Sequence, residues 1–183
     1  MNEHSRSFIR YLQTLKERDK GALAVLRHSL AFEPGTYSKA FSYIERFAGE
    51  AAHERDARRL APYAVAALFA RHPHHTENKS FAAAFGELMR RRESDSIERR
   101  FIALLGADAE NIVDYLRQAT SLLAAEDIGC DYARLLEDLS SWMNPLKIEK
   151  RDNLRQHWAR DFYRAMQPAQ ATESKISPEA TTE

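Results

Sequence analysis

"SFAAAFGELMRRRESDSIERRFIALLGAD", residues 80–108, holds two helical repeats and one break. In the first half Phe81, Phe85, Leu88 and Met89 recur every three or four residues behind Ser80, whose hydroxyl suits a helix N-cap. Ile97, Phe101, Leu104 and Leu105 repeat the spacing in the second half, with "ESDS" between. Asp95 followed by Glu98 reads as a capping box that opens the second helix, and Gly106 as its stop. Helix follows helix across a few polar residues, and no segment alternates apolar and polar among β-branched neighbours. The fold class predicted is therefore all-α.

The pattern extends both ways. Upstream, Phe8, Tyr11, Leu12 and Leu15 define a first helix. Asp19 caps a second, with Leu23, Leu26 and Leu30, which "EPG" ends. A third covers about 38–48, and a fourth about 54–71, where Pro62 either kinks it or begins its inner part. Downstream, Asp108 begins a helix through Ile112, Leu116, Ala119 and Leu123, and Asp131 a shorter one ended by "NP" at 144–145. The last, about 147–167, carries Leu154, Trp158, Phe162 and Met166. This gives about nine helices in two small bundles packed together, residues 1–93 and 94–167. From Pro168 onward, residues 168–183 lose periodicity and read as a disordered tail.

Composition narrows the function classes. A chain of 183 residues with 44% hydrophobic and 30% charged residues can bury a core. No apolar run approaches the roughly 20 residues of a membrane span, and "MNEHSRSFIR" lacks a secretory apolar stretch, so no membrane partner and a cytoplasmic location are expected. The single cysteine, Cys130, excludes an intrachain disulfide and reads as a small buried residue. The 27 basic and 27 acidic side chains cancel, but unevenly: residues 1–105 carry a net +5, 106–140 a net −6 and 141–167 a net +3. Such a surface has one side for a polyanion and another for a protein.

Five arginines fall between residues 90 and 100. On a helix opened by Asp95, Arg99 lies opposite the apolar residues and Arg100 on their flank. In the last helix Arg160 and Arg164 face away from Leu154, Trp158 and Phe162. Arg90, Arg91 and Arg92 also satisfy a helix C-terminus electrostatically. Each arginine alone is an ordinary solvated position; two clusters of guanidinium forks favour a track for phosphate backbone. Phe101, Trp142, Trp158 and Phe162 read as core, and Tyr163 as the better base-stacking candidate.

Catalytic and metal constellations are not assembled by spacing. His72, His74 and His75 lie in a proline-containing connector with only Glu77 nearby, so no metal is assigned. The groups Asp131, Glu137, Asp138 and Asp108, Glu110, Asp114 sit at helix starts and exposed helix positions, where acids are expected anyway. A nuclease has no constellation to stand on, and no catalytic residue or cofactor is expected.

Six segments, read in order, carry a family resemblance: "DKGALAVLRHSL" (19–30), "ALFARHP" (67–73), "FAAAFGEL" (81–88), "IERRFIALLGAD" (97–108), "LRQATSLLAAEDIGCDYARLLEDLSSW" (116–142) and "HWARDFY" (157–163). Together they resemble the CasB small-subunit family of the type I-E CRISPR surveillance complex, Cascade. The resemblance implies a two-lobed, non-enzymatic, all-helical protein. It implies as partners the Cascade backbone and large subunits, a second copy of the chain, the guide RNA, and the target and displaced strands of the R-loop. It places nucleic-acid contact at Arg27, Arg99, Arg100 and Arg160, beside the candidates Arg90, Arg91, Arg92 and Arg164. His28 departs from the family's frequent "LRR", and the "FAAAFGEL" segment, with Phe85 where the family often differs, supports fold alone. The alternative is a helical protein-interaction adaptor that does not bind nucleic acid.

Overall fold

The structure, a computed structural model, describes residues 2–49, 53 and 55–167. The tail expected at 168–183 lies outside the described residues. Among these, nine α-helices follow one another: α1 (Glu3–Arg18), α2 (Lys20–His28), α3 (Phe41–Ile44), α4 (Ala57–Arg71), α5 (Phe81–Arg92), α6 (Asp95–Gly106), α7 (Ile112–Ala125), α8 (Tyr132–Trp142) and α9 (Ile148–Met166). The all-α expectation holds, and the described residues contain one isolated parallel bridge, between His75 and Cys130. No helix among them is long and apolar enough to cross a membrane.

Local chemistry starts most helices where the sequence asks. Asp19 accepts the Ala22 amide at 2.8 Å, Ser80 the Ala83 amide at 3.1 Å, and Asp131 the Ala133 and Arg134 amides at 3.0 and 3.1 Å. Three expectations shift. Ser94, not Asp95, precedes α6, and its hydroxyl bonds Ser96 at 2.8 Å. That moves Glu98 one residue too far along for a capping box, and it accepts the Tyr163 hydroxyl at 2.8 Å instead. Asp108 folds its own turn by accepting the amides of Glu110 and Asn111 at 3.0 and 2.9 Å, which delays α7 to Ile112. The third expected helix breaks into 3-10 turns at Ser38–Ala40 and Glu45–Phe47 around the four residues of α3. Tighter winding there accompanies burial of Ile44 and seating of Phe47 on Phe8, 5.0 Å between ring centroids, while Phe41 stays exposed.

α4 is the axis of the molecule. Every residue from Ala61 to Ala70 is buried, Pro62 included, so the helix has no polar face. A helix apolar all round must be covered all round. α2, α7 and α8 pack on it, α1 more lightly, and its alanines leave room for close approach.

The second assembly point is α5 against α9, the most extensive helix pair in the fold. Gly86 makes it possible: a Cβ there would overlap the Phe162 carbonyl and lie 3.1 Å from Ala165 Cβ. Phe81 stacks on Trp158 at 5.8 Å, and Trp158 meets Trp142 at 5.1 Å. Phe101, Trp142, Trp158 and Phe162 are all fully buried, as their spacing predicts, and so is Cys130. Glu93, in left-handed conformation at φ 47°, ends α5 by giving its amide to Met89 O at 2.8 Å. The expected boundary between residues 93 and 94 falls on that turn, while the buried residues on its two sides form one connected core.

Candidate nucleic-acid interface

α6 turns as its apolar period requires. Ile97, Phe101 and Leu104 are buried, and Arg99 and Arg100 are exposed. Both arginines line an open groove floored by Phe85 and walled by Tyr115, Gln118 and Leu122 of α7. Neither has an ion pair or hydrogen bond among the described residues. Two free guanidinium groups stand over a half-apolar trough.

Gln118 also lines the adjoining groove, with Arg27, His28, Arg71, Arg117 and Ser121. Here the guanidiniums are held by neutral acceptors. Arg27 Nε donates to Ala70 O at 3.1 Å, Arg71 Nε to Ser121 Oγ at 3.3 Å, and Arg117 Nη1 to Leu30 O at 3.3 Å. A carbonyl fixes direction without cancelling charge, so these side chains are preorganised and still cationic. Among the described residues, the one acid paired within the run is Asp114, 3.5 Å from Arg117 and itself largely exposed. Arg99, Arg100, Arg117, Arg71 and Arg27 therefore form a run across α6, α7, the end of α4 and α2. Planar forks in a row, with Tyr115 partly exposed among them, suit an extended phosphate backbone.

Arg71, Arg117 and Gln118 are absent from the sequence-based candidates. Arg117 is hidden by averaging, because it is one of two bases in the acidic segment 106–140. Arg71 shows only its position at the end of α4.

The remaining candidates lie elsewhere. Arg91 pairs with Glu87 and donates to Glu126 O at 3.2 Å, and Arg92 Nε donates to Glu126 Oε1 at 2.9 Å. Both tie the end of α5 to the end of α7. Burial raises the Glu87 carboxyl, but Lys79 and Arg91 outweigh it and hold that group below the usual carboxylate range. Arg90 is exposed and without an ion pair among the described residues. Arg160 and Arg164 are likewise exposed and unpaired there, on the outer face of α9, and line neither groove. Tyr163 is half-exposed, its hydroxyl donating to Glu98.

The carboxylates that could have paired catalytically have structural partners. Asp131 is buried, with Asn78 N donating to its second oxygen at 3.0 Å. Asp138 accepts Trp158 Nε1 at 2.8 Å, and Glu137 accepts the Asn2 amide at 2.6 Å.

Residues 22–163 match the family model of the CRISPR-associated protein Cse2. A Cse2 protein of Thermus thermophilus is 40% identical over 145 residues, 79% of each chain. The crystal structure of CasB from Thermus thermophilus superposes with a TM-score of 0.72 at 37% identity, covering 89% of this chain and 99% of that one. A chain of a CRISPR RNA-guided surveillance complex gives a TM-score of 0.74 at 18% identity over 90% and 94%, a likeness of fold.

Proposed function

Because the chain belongs to the CRISPR-associated Cse2 family, we propose that it is the non-catalytic small subunit of a type I-E Cascade complex. It grips nucleic-acid backbone, and so stabilises the guide RNA–target DNA hybrid and the displaced strand of the R-loop in antiviral defence. The observation that carries this reading is the run Arg99, Arg100, Arg117, Arg71 and Arg27, charged and facing solvent along two joined grooves. Base pairing reads sequence in such a complex, and the protein needs only backbone attraction and shape.

A neutral chain with a local cationic run binds weakly alone and gains affinity when neighbouring subunits hold it in place. The partners are the Cascade backbone and large subunits, a second copy of this chain, the guide RNA and both DNA strands, in the cytoplasm. The acidic segment 106–140 supplies charge for protein neighbours, and residues 1–93 and 94–167 act as the two lobes.

R-loop lifetime in the reconstituted complex tests the reading. With Arg99→Ala and Arg100→Ala together, the complex assembles and the R-loop dissociates faster, with a weaker dependence on salt. An unchanged lifetime in a correctly assembled complex overturns the assignment. An adaptor that does not bind nucleic acid would instead show no salt-sensitive binding in a low-salt titration of the wild-type chain with an oligonucleotide.

A further inference from the structure

The segment "HPHH", residues 72–75, belongs to neither arginine groove. It lines a separate depression with Gln13, Lys16 and Glu17 of α1, to which the fold adds Asp127 from the turn after α7. One ring nitrogen from each of His72 and His74 and one carboxylate oxygen of Asp127 all lie within 4.8 Å of one another. His74 Nδ1 is already 2.8 Å from Asp127 Oδ1.

The cluster is built rather than incidental. His72 is buried, 5% exposed, and its Nε2 sits 2.9 Å from Ile128 O. A ring nitrogen bonded to a backbone carbonyl is the arrangement that fixes the orientation of metal-binding histidines. The His72 carbonyl accepts the Tyr132 hydroxyl at 2.7 Å, and Thr76 N donates to Cys130 O at 2.9 Å. Gly129 presses on the loop so closely that a Cβ there would lie 2.8 Å from His74 O. The two strands of chain that carry the donors are thereby clamped together before any ligand arrives. Lys16, the cation in the same depression, has its Nζ on Pro73 O at 2.9 Å.

We propose that His72, His74 and Asp127 bind one divalent transition-metal ion of the zinc or nickel class, stapling the α4–α5 connector to the α7–α8 turn. Two imidazoles and a carboxylate match the ligand preferences of such ions, whereas magnesium and calcium favour oxygen throughout. The ion exchanges the His74–Asp127 contact for two metal bonds, and the depression, which Gln13 and Glu17 also line, leaves room for a fourth ligand.

The test uses tag-free full-length protein stripped with EDTA and titrated with zinc or nickel chloride by calorimetry, with cobalt absorption as a spectroscopic check. One ion per chain is expected, with a Tm raised by several degrees in excess metal. Asp127→Asn and His74→Ala each weaken binding about 10-fold or more, while His157→Ala leaves it unchanged. Asp127 is largely solvent-facing and His74 half-buried; should His74→Ala unfold by circular dichroism, the near-isosteric Asp127→Asn decides alone. Wild-type protein that shows no saturable binding below about 100 µM metal overturns the site. So does binding that survives the cluster substitutions.

Discussion

The rings of Phe101 and Phe162 lie face to face, centroids 3.9 Å apart and planes 8° from parallel. Through this pair α6, with Arg99 and Arg100 on its outer side, is fixed to α9. Removing it separates the scaffold from the surface it carries. Phe162→Ala is expected to cost about 3–5 kcal/mol, because the ring is buried and its cavity has little freedom to collapse. Arg99→Ala with Arg100→Ala should cost less than about 1 kcal/mol, both being exposed and unpaired among the described residues. Urea unfolding of the three proteins checks the contrast, and equal losses would mean that the arginines serve the fold.

Two glycines give opposite outcomes on one substitution. Gly86→Ala drives a methyl into the Phe162 carbonyl and must part α5 from α9, for a loss of about 2 kcal/mol or more. Gly106→Ala, at the end of α6, meets nothing within 4 Å and restrains the unfolded chain, so it should be neutral or stabilising by up to about 1 kcal/mol. Melting temperatures of the two variants read the difference directly.

Burial pushes the Asp138 carboxyl up to about 6, against the opposing pull of Trp158 Nε1 and Arg134. A carboxyl raised on folding holds its proton more tightly in the native chain. Its contribution to stability is full below about pH 4, its ordinary range, and is lost as pH rises through about 6. Comparing wild type with Asp138→Asn from pH 4 to 7 should show wild type losing ground by at most about 3 kcal/mol. Parallel pH curves would mean that the carboxyl titrates alike in both states.

The arginine run predicts a salt signature. Arg71→Ala with Arg117→Ala should lower affinity for a single-stranded oligonucleotide and reduce the log–log salt slope by about 1.4, roughly 0.7 for each phosphate no longer neutralised. Arg92→Ala should leave the slope unchanged, since that guanidinium is occupied by Glu126. Fluorescence anisotropy across a salt series distinguishes them; a slope altered by Arg92→Ala alone would move the interface to the end of α5.

Local signals were the legible ones. Asp19, Ser80 and Asp131 act within three residues of themselves, so composition and spacing suffice to place their helices. The apolar period of α6 likewise turned Arg99 outward without knowledge of any neighbour. What escaped reading depends on residues distant in sequence. Ser94 displaced the capping box by one position, and Glu98 then answered to Tyr163, 65 residues away. The run of five arginines draws on four helices, and a helix-by-helix reading has no means of aligning Arg71 with Arg117. Glu77 is the acid nearest "RHPHH" in sequence, but the fold brings Asp127, 53 residues beyond His74.

The close seat that Gly86 provides for α9 also orders the protein's biosynthesis. α5 is complete once Arg92 is made, yet the ridge of Phe81 and Phe85 cannot receive its cover until Trp158 and Phe162 are translated. A chain cut short before α9 keeps those rings bare, the kind of surface that chaperones and proteases remove. Completion of α9 thus acts as a check on length: a chain that stops before Phe162 lacks the cover that α5 requires.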